Sequence, residues 1–155
     1  MSEPEPSPRD LPTGSFPRLT TENCRVTSLE DEEYNCIAWA AHDTKNWWEP
    51  GPSEDTYWPI PADEDADTLD DLIRAFSAVQ FVRCETPELE PGYEKIALYE
   101  DQSRRYTHAA RQLPTGKWTS KLGRFVDIEH DTPDDVAGGA YGNIAGFMKR
   151  PLSAA

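Results

Sequence analysis

The stretch Tyr34-Asn35-Cys36-Ile37-Ala38-Trp39-Ala40-Ala41-His42 decides how the rest of the chain is read. Its alanines, with Ile37, Ala40 and Ala41 at helical spacing, predict a short buried helix: alanine has the best intrinsic helix propensity, and an apolar face at that spacing needs a core to cover it. Asn35 is placed to cap that helix, because an amide oxygen just before the first turn accepts a backbone N–H that the helix leaves unpaired. Cys36 then falls on the first turn.

Outward from this helix, residues 45–61 (KNWWEPGPSEDTYWPIP) combine three tryptophans, a tyrosine and four prolines, which forbids a long helix and predicts a packed irregular loop. A second helix is expected from Asp67 or Thr68, where Leu69, Leu72, Ile73 and Phe76 repeat at i, i+3, i+4 and i+7 behind a cap-like Asp-Thr pair. Beyond it the period changes to two, and residues 80–84, 94–100, 107–113 and 117–122 read as strands, the last two joined by the turn Pro114-Thr115-Gly116. A last short helix is expected over residues 143–149, stopped by Pro151, after a flexible turn at Gly138-Gly139-Ala140-Tyr141-Gly142. Helices followed by a meander give an α+β fold in which the helix bearing Cys36 packs on an antiparallel sheet. Residues 1–20 hold five of the fourteen prolines and no apolar period, so the expected organisation is a disordered arm at 1–20, one domain over 21–150 and a tail at 151–155.

The 155 residues carry 29 Asp and Glu against 15 Lys and Arg, a formal charge of −14. Binding to nucleic acid or to an anionic membrane depends on an excess of Lys and Arg, so neither partner is expected. No apolar run approaches the roughly 18–20 residues of a membrane helix and the first residues lack a secretion signal, which predicts a cytoplasmic protein. Three cysteines without CxxC spacing predict neither a disulfide framework nor a cysteine-rich zinc site, and no cofactor is expected. A metal site could draw on His42, Asp43, His108 and His130, but none of these has HxxxH or HxH spacing.

Charge is unevenly spread. From Glu49 to Asp71 there are nine carboxylates and no Lys or Arg, while from Gln102 to Val126 there are six cations and no Asp or Glu. The blocks either meet in the fold or form solvated faces; a sharper reading is a basic hairpin that binds an acidic ligand or peptide. A tight turn centred on Thr115 pairs Gln112 with Trp118, Ala110 with Ser120 and His108 with Leu122. Arg111, Lys117 and Lys121 then share a basic face expected to be wet. His108, on the other face, is expected to point toward the Cys36 helix.

A cysteine at a helix start has its thiolate favoured there, and a facing histidine can make it nucleophilic. Cys36, in Asn35-Cys36-Ile37-Ala38-Trp39-Ala40, and His108, in Thr107-His108-Ala109-Ala110, occur in that order, and with these residues the chain resembles papain-like cysteine hydrolases. The chain is also similar to an uncharacterised bacterial family with the segments NCIAWA, KIALY, THAARQ, GKWTSKLG and DIEH, which implies no activity. The papain-like resemblance implies papain-like topology and a hydrolase or acyl transferase acting on an amide or thioester of a peptide or protein substrate. Cys36 would be the nucleophile, His108 the general base, Ser120 or Asp127 the orienting group, and Asn35 a candidate oxyanion donor. Trp39, Trp47, Trp48, Trp58 and Trp118 are candidates for the substrate cleft. The alternative is a non-catalytic inhibitor or immunity-type protein whose acidic surface and aromatic loop take a basic protein partner.

Overall fold

Helix α1 (Cys36–Ala40) forms where its cap requires it: Asn35 Oδ1 accepts the Ala38 N–H at 3.1 Å. Its other end closes with paired hydrogen bonds, Asp43 N–H to Ala38 O (2.8 Å) and His42 N–H to Trp39 O (3.1 Å), and His42 takes φ 65 to make the reversal. That left-handed position is one usually given to glycine. Helix α2 (Leu69–Ala78) starts with a reciprocal cap between Thr68 and Asp71 and buries Leu72, Ala75 and Phe76. The computed structural model describes residues 16–20, 22–28, 34–51, 55–63, 65–122 and 127–152.

Seven strands form one antiparallel sheet: β1 (Cys24–Ser28), β2 (Val82–Cys84), β3 (Tyr93–Glu100), β4 (Tyr106–Gln112), β5 (Trp118–Lys121), β6 (Asp127–His130) and β7 (Asn143–Pro151), in the order β1-β6-β5-β4-β3-β7-β2. The fold is α+β, as expected. The β4–β5 hairpin has the expected register, Gln112 opposite Trp118. Strands β1 and β6 had no sequence assignment.

Residues 143–149, expected as a helix, are strand β7. It lies between β3 and β2, with Met148 opposite Ile96 and Phe147 opposite both Ala97 and Cys84. Met148 joins the helix-side core and Phe147 the opposite one, a period-two alternation that a helix cannot produce. The Gly138–Gly142 turn delivers the chain to this strand. Gly142, at φ 69, lies so close to β3 that a Cβ there would collide with the Glu100 carbonyl.

The sheet is buried on both faces. On one, α1 and α2 cover a core that includes Ile37, Trp48, Phe76, Ile96, Leu98, Ala109 and Met148. On the other, Phe16, Leu19 and a short 3-10 helix (Pro133–Val136) cover Ala97, Tyr99, Ala110, Trp118 and Ile128. Phe16 and Leu19, expected in the mobile arm, are thus core residues, while residues 1–15 and 153–155 lie outside the described part.

This arrangement corrects the expected use of the hairpin. Its basic face is not wet: Lys121 is fully buried with Nζ 4.8 Å over the Tyr34 ring, and the Arg111 guanidinium lies 4.5 Å over Trp39. Of the three cations expected there, Lys117 alone stays exposed. Aromatic rings from the α1 segment can cap cations in this way, because the ring face is electronegative and the long stems are apolar. Helix α1 therefore packs on the Arg111–Lys121 face, and His108 points away from it. No helix among the described residues is long and apolar enough to cross a membrane.

Candidate functional site

Cys36 is buried at the start of α1, in the same core cluster as Ala109 of β4. Burial pushes its thiol up to about 11, so it is held protonated despite its place on the first turn. Asn35 has no amide atom to spare. Beyond capping α1, its Oδ1 accepts the Trp48 N–H (3.2 Å) and its Nδ2 donates to Trp48 O (2.7 Å), which ties the helix start to the aromatic loop. Trp48 is buried and donates Nε1–H to Asp43 at 2.8 Å; Trp58 stacks on Tyr106; the Trp47 carbonyl accepts the Tyr57 N–H at 2.9 Å. Trp39 lies under Arg111 and donates Nε1–H to Thr119 Oγ1 at 3.0 Å. Trp39 and Trp58 thus tie the helix and the loop to the sheet, and Trp48 ties the loop to the two ends of α1. Trp118 is buried on the opposite face.

On that opposite face His108, Ser120 and His130 form a buried hydrogen-bonded row. His108 Nε2 lies 2.9 Å from Ser120 Oγ, Ser120 Oγ lies 2.7 Å from His130 Nε2, and His130 Nδ1 lies 2.8 Å from Thr132 O. One proton arrangement satisfies the row. The Thr132 carbonyl can only accept, so His130 carries its proton on Nδ1 and leaves Nε2 bare; Ser120 donates to that nitrogen and accepts from His108 Nε2–H. His108 Nδ1 is then a bare nitrogen, and it is buried without a hydrogen-bond partner. The ring is clamped flat against Tyr141, centroids 4.0 Å apart and planes at 3°. Burial, with the nearby His130, pushes the His108 pKa well below its ordinary value, and burial lowers that of His130. Both rings are therefore neutral at pH 7.

The structure brings together one of the predicted pairs, His108 with Ser120. It does not bring His108 to Cys36. Ala109 carries the contact with the Cys36 cluster, and its neighbour His108 projects through the other side of β4, into a cluster with Tyr99 and Tyr141. Asp127 also misses His108: it accepts the Tyr34 hydroxyl at 2.7 Å and sits opposite Lys121 on the helix side. The four candidate metal ligands are likewise dispersed. His42 meets Glu94 and Arg111, Asp43 meets Trp48, and the other two histidines belong to the row with Ser120. What sequence reasoning missed is His130 as the second partner of Ser120. The alternation of Asp127-Ile128-Glu129-His130 carries that signal once Trp118 is set opposite His130.

No curated protein and no solved structure matches the chain. A family match spans residues 25–149, which takes in both helices, the whole His108–Ser120–His130 row and nearly all of the sheet. The chain belongs to the family described as a domain of unknown function, DUF7689.

Proposed function

We propose that this domain is a non-catalytic interaction module whose acidic, aromatic loop takes a basic protein partner. The observation that carries this is a recess of about 380 Å³ beside α2, floored by Trp58, Ile60 and Pro61 and edged by the carboxylates of Asp63, Asp65 and Asp71. One cation stands against them, Arg74, 4.0 Å from Asp71. A lysine or arginine from a partner would lay its apolar stem on Trp58 and Pro61 and set its charge among the carboxylates. Cysteine-dependent hydrolysis or acyl transfer with papain-like topology, which the resemblance implies, has less support. Its nucleophile is a buried protonated thiol and its base lies across a strand.

The test is fluorescence anisotropy with a lysine-rich peptide. Asp63→Asn with Asp65→Asn is expected to weaken binding about tenfold, against less than twofold for Glu85→Gln with Asp134→Asn elsewhere on the surface. Equal weakening by both pairs, or no saturable binding, overturns the proposal. In parallel, iodoacetamide at pH 6 is expected to leave Cys36 unlabelled in the native protein and in His108→Ala alike. Rapid labelling of Cys36 that is lost in His108→Ala would return the reading to a hydrolase.

A further inference from the structure

A second site lies just past the C-terminal end of α1, where the start of β3, the end of β4 and the residues after β7 enclose a cavity of about 450 Å³. Its walls are largely apolar, with Leu89, Pro91, Tyr93, Leu113 and Leu152 among them, and its volume is that of a small-molecule pocket. Leu89 and Leu152 are 50% and 53% exposed, two of the four large hydrophobics that stand out from the described surface, and both line this one opening. Solvent-facing leucines gathered on one cavity mark a surface that gains by being covered. Leu152 is fixed there by its N–H, which donates to Gly92 O at 2.9 Å.

The charges in this corner do not balance. Glu90 answers Lys149 (2.8 Å) and Lys95 (3.7 Å), and Glu94 answers Arg150 and, at 3.2 Å, His42. Arg111, which lines the same cavity, is left over: no described carboxylate lies within 4 Å of it. Among the described residues its side chain makes one hydrogen bond, to a neutral acceptor, His42 Nδ1 at 2.6 Å, and its Nε is buried with no partner. A half-buried guanidinium, held over Trp39 with Glu94 and Asp127 near enough to act on it but no described carboxylate within 4 Å, is poised for a carboxylate, which it can engage through two parallel N–H donors. His42 points the same way. It occupies, at φ 65, a position where glycine would cost less, and in return its ring bridges Arg111 and Glu94 at the cavity.

We propose that this cavity binds a small apolar carboxylic acid, the carboxylate meeting the Arg111 guanidinium and the hydrocarbon part lying against Leu89, Leu113 and Leu152. The site is separate from the acidic recess beside Trp58, and either can fail without the other. The two carboxylates that also line the cavity, Glu90 and Glu94, are answered by Lys95, Lys149 and Arg150 from outside it, which leaves the Arg111 guanidinium as the lining charge without an ion-pair partner within 4 Å among the described residues.

Calorimetric titration of the full chain with sodium octanoate, 1-octanol and octylamine tests this. Octanoate is expected to bind saturably and at least tenfold more tightly than either analogue. Arg111→Gln is expected to weaken octanoate at least tenfold. Leu152→Glu, on an exposed rim, is expected to do the same with an unchanged unfolding midpoint, so the proposal stays decidable if Arg111→Gln does not fold. Octanol binding as tightly as octanoate, octanoate binding unaffected by Leu152→Glu, or no saturable binding overturns it. Preference for an acetylated tripeptide ending in leucine overturns it as well, by making the opening a groove for peptide C-termini.

Discussion

Two clusters of buried polar side chains, one on each face of the sheet, are held in opposite ways. On the helix side the cluster pairs an ammonium with a carboxylate: Lys121 under Tyr34, Asp127 opposite it in register and bonded by the Tyr34 hydroxyl. On the other side the row His108–Ser120–His130 is neutral, and each proton has one place to be. The first cluster therefore suffers when a charge is taken away, and the second when one is added. That difference is a physical signature, and it can be broken from either side.

The largest effect is expected on the charged face. Asp127→Ala removes a carboxylate set opposite a buried ammonium and is expected to cost about 3–5 kcal/mol in urea unfolding, and Lys121→Met, which leaves the buried carboxylate without that cation, a similar amount, whereas the double variant Asp127→Leu with Lys121→Met, which removes both charges, is expected to cost far less than the two singles added. A double variant that costs as much as the two singles added would mean that charge is not what couples this pair. Next, Ser120→Ala strands a donor on His108 and an acceptor on His130 and is expected to cost about 2–3 kcal/mol, against about 1 kcal/mol for Thr119→Ala, where Trp39 alone loses an acceptor.

Acid sharpens the comparison further. The pKa values of His108 and His130 are depressed by burial, so the unfolded chain takes up protons first. The stability that the neutral rings contribute is complete above the ordinary histidine value near 6.5 and is lost as pH falls below it, by about 1.4 kcal/mol per pH unit for each ring. His42, also depressed, adds in the same direction. Urea unfolding at pH 7, 6 and 5 is expected to show this slope, and His108→Phe to reduce it by one ring's share; an unchanged slope in that variant would show that His108 does not titrate with folding. The smallest effect is expected at His42. Replacing it by glycine relieves the left-handed backbone and is expected to raise stability by about 0.5–1 kcal/mol, because the half-exposed contacts it gives up are worth less than the strain.

The parts of the fold legible in the sequence are those whose signals are local. Asn35 before an alanine run, Thr68 three residues before Asp71, and Pro114-Thr115-Gly116 between alternating segments each specify their element without reference to the rest of the chain. Strand β7 carries no such signal. Ile144-Ala145-Gly146-Phe147-Met148 is compatible with either period, and the gap between β3 and β2 decides it. The placement of His108 failed for a related reason. The hairpin register was right, but cations were assigned to water, and Tyr34 and Trp39 could cap Lys121 and Arg111 instead. That inverted the two faces and with them the expected partnership of Cys36 and His108, while the pairing of His108 with Ser120, which depends on register alone, held.

The strand order has a consequence for how the chain is made. Arg25 of β1 meets Glu129 of β6, 104 positions further along. At the roughly 5–20 residues per second of protein synthesis, β1 leaves the ribosome on the order of 5–20 s before its partner exists. The meander of β3, β4 and β5 can close in that interval from neighbours already made, so the first strand synthesised must wait for β6, just as β2 at the opposite edge must wait for β7.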